Sequence, residues 1–255
     1  VTYGRVIVAV QGVSLKVPRN GIVALLGTNG AGKSTTVRAI SGFLPVDDAQ
    51  IRKGTIRFEG RSILNEPPDC VARAGVVLVP ERRKIFETLT VHDNLRIARR
   101  PGSSRNDWER DVERLFTIFP RIAARKDQLA GYLSGGERQM VAIAQGILCA
   151  PKLLLVDELS LGLAPQLIRD LMAQLKRLRE EFALSILLIE QDASSALEIA
   201  DFGLIMEGGR IVYEGTPQKL REHKDVQEFY LGSGEAGRVS YRDVKQYRRS
   251  RRWWG

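Results

Sequence analysis

Residues 27–35 constrain the fold more than any other part of the chain. They read GTNGAGKST, which matches the GxxxxGK[ST] pattern of a phosphate-binding loop. The apolar run at 21–26 predicts a buried strand before the loop, and residues 35–40 predict a helix after it that Gly42 ends. A strand, a glycine-rich loop and a helix start form the setting that such a loop requires. We therefore expect a nucleotide-binding α/β fold.

The residue types in this loop suit it to holding phosphate groups. Glycines let backbone N–H groups approach the phosphates without a clashing Cβ, and the helix N-terminus adds about half a positive charge. Lys33 is expected to reach the β- and γ-phosphates, and Ser34 to place its hydroxyl on Mg²⁺. The alternative is a glycine-rich turn with a solvated lysine. The predicted nucleotide-binding residues of the loop are Gly27, Thr28, Asn29, Gly30, Ala31, Gly32, Lys33, Ser34 and Thr35.

Composition excludes several other classes of protein. No apolar run approaches the length needed to span a bilayer, and the N-terminus shows no secretion signal. Cys70 and Cys149 lack CxxC spacing, and His92 and His223 are too few for a histidine-based metal site. The net charge of +9 predicts a polyanionic neighbour, either nucleic acid or an anionic membrane face.

The rest of the chain alternates strand and helix patterns, with one interruption. Two strands are predicted at 5–17, a strand and turn at 54–60, and a strand at 75–80, followed by helices at 91–100, 107–119 and 135–150. Asp107 is the expected N-cap of the second helix, and Pro120 its expected stop. After that come a strand at 153–156, a helix at 165–182, a strand at 184–189, a helix at 193–200, and strands at 202–206 and 210–214. We expect a mainly parallel sheet with ligands at the carboxyl ends of its strands.

This pattern divides the chain into three parts. Residues 1–232 are expected to form one domain, with a helical lobe at about 85–150 inserted in the α/β core. The tail at 233–255 holds seven basic and two acidic residues and two tryptophans. It is expected to be a solvated, flexible terminus. The alternatives are a basic–aromatic patch for an anionic lipid surface, or a contact with nucleic acid.

Asp157 and Glu158 follow the apolar strand predicted at 153–156. Phosphoryl transfer needs a metal that holds the phosphate oxygens and a group that places the nucleophile in line. Asp157 is predicted to organise Mg²⁺ and Glu158 to polarise water. An ordinary acidic pair at a strand end is the alternative.

A third stretch, LSGGERQ at 133–139, predicts a capped helix start that can accept an anion. It closely resembles the signature motif of ATP-binding cassette (ABC) ATPases, and GTNGAGKST and LLLVDE occur with it in the order of that family. The match extends to about Leu231. Glu81, Gln191 and the run SLGLAP at 160–165 are most similar to the ATPase subunit of branched-chain amino acid importers.

The resemblance implies a P-loop, RecA-like α/β core with a mainly parallel sheet, an inserted helical lobe and a small antiparallel β region. It also implies two cassettes that close head-to-tail around two ATP molecules with Mg²⁺. Ser134, Gly135 and Gly136 would bind the ATP held by the partner chain. Tyr3 matches the aromatic residue that stacks on adenine, and Glu158 the catalytic carboxylate.

Four departures from the common family pattern are visible. Glu81 stands where most cassettes carry a glutamine that touches Mg²⁺, and Gln191 where most carry a histidine that contacts the γ-phosphate. Glutamine can hydrogen-bond a phosphate but cannot carry a positive charge. Leu159 stands where proline is usual, and the loop at 47–53 is long. Lys33, Glu158 and Gln191 are the predicted catalytic residues, and Ser34, Asp157 and Glu81 the predicted metal ligands.

These observations lead to one expected function and two alternatives. The chain is expected to hydrolyse ATP at the cytoplasmic membrane face and to power a separate permease that imports branched-chain or related amino acids. Its expected partners are the permease subunits, a second ABC ATPase subunit and, indirectly, an extracytoplasmic substrate-binding protein; nucleic acid is not the expected partner. The alternatives are a soluble ABC ATPase acting on nucleic acid or ribosomes, and a nucleotide-binding regulatory module with little turnover.

Overall fold

The computed structural model describes residues 1–4, 6–81, 85–100 and 102–231, so the predicted tail at 233–255 lies outside the described residues. The strands are β1 (Thr2–Tyr3), β2 (Ile7–Val8), β3 (Ile22–Leu26), β4 (Ala49–Gln50), β5 (Arg57–Phe58), β6 (Arg61–Ser62), β7 (Val76–Val79), β8 (Leu153–Asp157), β9 (Ser185–Glu190), β10 (Phe202–Glu207) and β11 (Arg210–Gly215). The helices are α1 (Lys33–Ser41), α2 (Pro68–Ala74), α3 (Val91–Ile97), α4 (Arg105–Ile118), α5 (Pro120–Ala123), α6 (Gly135–Leu148), α7 (Pro165–Phe182), α8 (Ala193–Ile199), α9 (Pro217–Glu222) and α10 (Lys224–Phe229).

A six-stranded sheet forms the centre of the fold, in the order β11-β10-β3-β9-β8-β7. Five of its strands run parallel, and β11 pairs antiparallel with β10 at one edge. The strands β3, β8 and β9 are buried along their whole length because apolar side chains cover both faces of the sheet. This confirms the predicted mainly parallel α/β fold.

The two faces of the sheet support two hydrophobic clusters. In β3, Ile22, Ala24 and Leu26 contribute to the larger cluster, which includes residues of α3 to α10. The alternating residues Val23 and Leu25 contribute to the smaller cluster, on the side of α1 and α2. Because β3 is held from both sides, the loop that follows it starts from a fixed point at the carboxyl edge of the sheet.

The two strands predicted at 5–17 are not both formed within the described residues 6–17. Only β2 is present there, and it pairs with β1 in a small antiparallel sheet that also contains β4. Residues 9–17, all of them described, form no strand, although Val13, Leu15 and Val17 pack against the smaller cluster. The strand and turn predicted at 54–60 are present in a shorter form: β5 is followed by a turn at 59–60, which leads into β6 to make a hairpin. Val13, Leu15 and Val17 are partly buried, as the apolar alternation predicts, but Val6 and Val8 are exposed. Burial also does not guarantee a neighbouring backbone to pair with.

The start of α4 also differs from the prediction. Ser104, not Asp107, is the N-cap, and its hydroxyl accepts a hydrogen bond from the Asp107 N–H at 3.0 Å. Asp107 stands at the third helical position, where an acidic side chain completes the same cap. Pro120 follows the end of α4 and also begins the short helix α5, because a proline at a first helical position loses no hydrogen bond. No helix of the described residues is both long and apolar enough to cross a bilayer.

The packing of β8 leads to the first testable prediction. Leu154 is fully buried and faces α6. Gly146 of α6 lies so close that a Cβ added to it would be 3.1 Å from Leu154 Cδ1. Leu154→Ala should lower the free energy of unfolding by about 3 kcal/mol, since it leaves a cavity in a core that cannot collapse freely. Urea denaturation measures this. Leu161→Ala is the matched control, because Leu161 is 52% exposed. A change in Leu154→Ala no larger than in this control would contradict the packing described.

Candidate active site

The carboxyl ends of β3, β8 and β9 lie side by side because these strands are parallel and β9 is between the other two. The phosphate-binding loop follows β3, Asp157 ends β8 with Glu158 next to it, and Glu190 ends β9. Gln191 follows Glu190 and is exposed, and Glu81 comes two residues after β7. The sheet therefore brings the predicted catalytic and metal-binding residues to one edge.

The loop after β3 has a backbone that only glycine suits at two positions. Gly27 has a φ of 153°, and a Cβ there would lie 2.2 Å from the carbonyl oxygen of Met206. Gly32 is the left-handed N-cap of α1, with no side-chain hydrogen bond to the helix. The first-turn N–H groups of a helix have no intrahelical acceptor, so α1 can present them to an anion. The loop geometry thus fits a phosphate group.

Lys33 is the central cation of the site. Its Nζ donates to the carbonyl oxygens of Gly27 at 2.9 Å and Thr28 at 3.2 Å. The same nitrogen lies 3.1 Å from Glu158 Oε1, and the two side chains are only 3% and 11% exposed. A buried ammonium group needs such compensation because its transfer out of water is costly. The predicted catalytic lysine and glutamate are therefore in direct contact.

Ser34 and Asp157 form the second polar pair. The Ser34 hydroxyl donates to Asp157 Oδ1 at 3.1 Å. Burial raises the pKa of Asp157, the Ser34 hydrogen bond opposes this, and the negative charges of Glu158 and Glu81 raise it further. A carboxylate and a hydroxyl oxygen are ligands that Mg²⁺ accepts together with phosphate oxygens. The donor set fits the predicted metal, and a divalent cation there would relieve the repulsion among the three carboxylates.

Tyr3 lies beside the start of α1. Its hydroxyl is 3.1 Å from Thr35 Oγ1, and its ring packs against the small cluster of Ala39, Leu44 and Ala49. This position puts an aromatic ring next to the last residue of the phosphate-binding loop. Its stacking on adenine stays a prediction.

The signature residues lie at the start of α6 and not beside the phosphate-binding loop. They are Ser134, Gly135 and Gly136. Ser134 caps α6 with its hydroxyl, and the Glu137 carboxylate accepts a hydrogen bond from the Ser134 N–H at 2.8 Å, which confirms the predicted helix start. A Cβ at Gly136 would lie 2.2 Å from Leu167 Cδ2, so α6 packs closely on α7. Among the described residues, no hydrogen bond or ion pair joins 134–136 to the phosphate-binding loop. The structure does not bring these two motifs together within one chain.

Glu190 is a site residue that the sequence analysis missed. It is fully buried, and its carboxylate accepts hydrogen bonds from the N–H groups of Leu159 at 2.9 Å and Ser160 at 3.2 Å and from the Ser160 hydroxyl. Burial raises its pKa to about 7, although these hydrogen bonds oppose the shift. An acidic residue at the end of an apolar strand was the signal that identified Asp157, and it applies equally here.

The raised pKa of Glu190 predicts a pH dependence of stability. The carboxyl group titrates near 4.5 when the chain is unfolded and near 7 in the native protein, so the native protein binds the proton more tightly. The resulting stabilisation is complete below pH 4.5 and is lost as the pH rises to about 7, which amounts to about 3 kcal/mol.

Urea denaturation of the wild type and Glu190→Gln at several pH values from 4.5 to 7.5 measures this dependence. The wild type should lose free energy of unfolding relative to the neutral variant as the pH rises. A constant difference between the two proteins would contradict the prediction.

Comparison with known proteins gives the family of the chain. Residues 10–160 match the family model described as ABC transporter. A high-affinity branched-chain amino acid transport ATP-binding protein of Pseudomonas aeruginosa, BraG, is 39% identical over 91% of this chain and 96% of that protein. The lipopolysaccharide export system ATP-binding protein LptB of Haemophilus influenzae is 32% identical over 88% of this chain and 90% of that protein.

A solved structure agrees with these sequence matches. The ADP conformation of an ATP-binding cassette of an ABC transporter superposes with a TM-score of 0.75 at 28% identity, over 91% of this chain and 95% of that one. The phosphate-binding loop, the buried Lys33–Glu158 pair and the acidic end of β8 are thus set in a cassette fold. The chain belongs to the ATP-binding cassette family, and it is an ATPase of that family.

Proposed function

We propose that this ATPase powers a separate membrane permease at the cytoplasmic face of the membrane, and that the permease imports branched-chain or related amino acids. The site supports the ATPase part through one observation above all: Lys33 and Glu158 meet at 3.1 Å beside the Ser34–Asp157 pair. The amino acid substrate is supported by the likeness to BraG over nearly the whole chain. The likeness to LptB makes export of a lipopolysaccharide the second candidate.

Each polar group of the site has a proposed role. Ser34 and Asp157 would hold Mg²⁺, with Glu81 as a further ligand, and the ion would neutralise negative charge on the phosphate groups. Lys33 would exchange the Glu158 carboxylate for phosphate oxygens. This exchange would leave Glu158 free to orient the attacking water and accept its proton. Gln191 would donate a hydrogen bond to the γ-phosphate without adding charge.

The signature residues require a second cassette. Ser134 and Gly135 are exposed at the N-terminus of α6, and the hydrogen bonds of Ser134 are made with Glu137 of the same helix and not with the phosphate-binding loop. A second ABC ATPase subunit placed head-to-tail would present these residues to the ATP of the first. Two different cassettes are the proposed arrangement, and Tyr3 would stack on the adenine of the ATP bound by its own chain.

The proposed contact with the permease uses the segment at 81–90 and the helical lobe at about 85–150. The structure describes 81 and 85–90 of that segment, and Phe86 there is 59% exposed. An exposed phenylalanine is an apolar group that a partner surface can cover. An extracytoplasmic substrate-binding protein would act through the permease and not through this chain.

Glu158→Gln tests the hydrolytic role. The amide keeps the shape of the side chain but cannot accept the proton of the attacking water, so turnover should fall by about 100-fold or more while ATP still binds. Phosphate release and nucleotide titration measure the two quantities. Glu180→Gln, an exposed carboxylate on α7, is the control and should match the wild type. Normal turnover in Glu158→Gln would remove Glu158 from the mechanism.

Lys33→Ala tests nucleotide binding. Loss of a charge-assisted hydrogen bond to phosphate should weaken ATP affinity by about tenfold or more. Isothermal titration measures the dissociation constant, with circular dichroism to check the fold, because the variant leaves Glu158 without its cation. Lys152→Ala is the control, since that side chain is 60% exposed. An unchanged ATP affinity would contradict the role of the phosphate-binding loop.

Purification of the tagged chain in mild detergent with ATP or ADP tests the transport assignment. Multi-span membrane proteins and a second cassette should copurify, and leucine, isoleucine and valine uptake should depend on ATP hydrolysis by the complex. Recovery of a lipopolysaccharide export permease would move the substrate to the second candidate. Recovery of ribosomes or nucleic acid without any membrane protein would overturn the transport proposal.

A further inference from the structure

The turn after β8 is bonded to the end of β9 by three successive backbone N–H groups. The Glu158 N–H donates to the Ile189 carbonyl oxygen at 3.0 Å. The N–H groups of Leu159 and Ser160 both donate to Glu190 Oε1, and the Ser160 hydroxyl donates to Glu190 Oε2. One buried carboxylate thus accepts all the polar hydrogens that residues 159 and 160 offer.

This arrangement holds a backbone conformation that would otherwise be unfavourable. Glu158 has a φ of 44°, in the left-handed region that residues other than glycine seldom adopt. Such residues persist only where their surroundings over-determine them. Successive N–H groups around a left-handed residue form a concavity that binds anions, and here the anion is the Glu190 carboxylate of the chain itself.

Leu159 supplies one of the hydrogen bonds to Glu190 and adds a contact with α6. The position where the family pattern usually has proline supplies an N–H here, which proline lacks. The Leu159 carbonyl oxygen accepts a hydrogen bond from Gln139 Nε2 of α6 at 3.1 Å. Both polar groups of this residue, which is fully buried, are therefore fixed by neighbouring elements. The turn that carries Glu158 cannot shift without breaking contacts to α6 and β9.

We propose that Glu190 is a positioning residue for ATP hydrolysis: its buried carboxylate holds residues 158–160 so that the Glu158 side chain points into the ATP site. This inference rests on the proposed catalytic role of Glu158. Glu190 acts through Glu158 and its turn and contacts no substrate. Gln191 follows Glu190 directly in the chain. The hydrogen bonds of Glu190 therefore also link Glu158 to Gln191, the two residues proposed to act at the γ-phosphate.

Three variants test the proposal by steady-state kinetics on the full chain in its purified assembly. Glu190→Met keeps the length of the side chain but removes both acceptors, so kcat should fall at least tenfold while KM for ATP stays within about twofold. Glu190→Gln retains one carbonyl acceptor for the two N–H groups and should restore kcat to within about threefold of the wild type. Ser160→Ala removes one donor and should lower kcat about threefold. Glu198→Gln, an exposed carboxylate on α8, is the control that should not change kcat.

The outcomes separate this inference from the proposed function. A Glu190→Met kcat within twofold of the wild type would overturn it, and so would a rise in KM that accounts for the whole loss of activity. If Glu190→Met does not fold, wild-type kcat in both Glu190→Gln and Ser160→Ala would overturn it instead.

Glu158→Gln is measured in parallel. If that variant is inactive and Glu190→Met is fully active, only the positioning role is wrong; if it stays active, the catalytic role of Glu158 and this inference both fail.

Discussion

The buried ion pair between Lys33 and Glu158 is the interaction on which the rest of the site depends. The two residues come from loops after β3 and β8, which are not neighbours in the sheet because β9 lies between them. The contact therefore crosses the end of β9, and its geometry holds only while all three strands keep their register. Removing either partner leaves a buried charge without compensation, which makes this pair costly to break and specific to one arrangement. The end of β9 carries Glu190, and Glu190 binds the turn that follows Glu158.

The same pair connects the structure to the proposed chemistry. A phosphate that enters the glycine-rich loop competes with Glu158 for the Lys33 ammonium group, since both are anions and the nitrogen already has two carbonyl partners. Binding of ATP would then release the carboxylate at the moment when it is needed beside the γ-phosphate. Asp157 ends β8 directly before Glu158, and burial raises its pKa. A divalent cation beside Asp157 would stabilise its ionised form. Under this proposal, the phosphate and the metal would together reduce the electrostatic repulsion and the charge burial in the site.

Much of the site could be predicted from the sequence because its signals are local. The loop at 27–35, the strand before it and the acidic end of β8 each need only neighbouring residues to be recognised, and the capped start of α6 is equally local. Glu190 carries the same local signal as Asp157, an acidic residue that ends an apolar strand, but its contact with residues 159 and 160 depends on the register of β8 against β9, which no local pattern gives. Two strands were predicted at 5–17 because the apolar residues there alternate, and alternation does not report whether a partner strand is present. The role of Ser134–Gly136 needs a second chain and stays a prediction.

A structure of the chain with Mg²⁺ and a non-hydrolysable ATP analogue tests the central claim most directly. The account predicts that Lys33 Nζ leaves Glu158 and contacts the β- and γ-phosphate oxygens, while Ser34 and Asp157 hold the metal and Glu190 keeps its hydrogen bonds to Leu159 and Ser160. The signature residues of a second cassette should face the γ-phosphate. An analogue bound away from residues 27–35, or a Lys33–Glu158 pair that stays closed with the analogue in the loop, would contradict it.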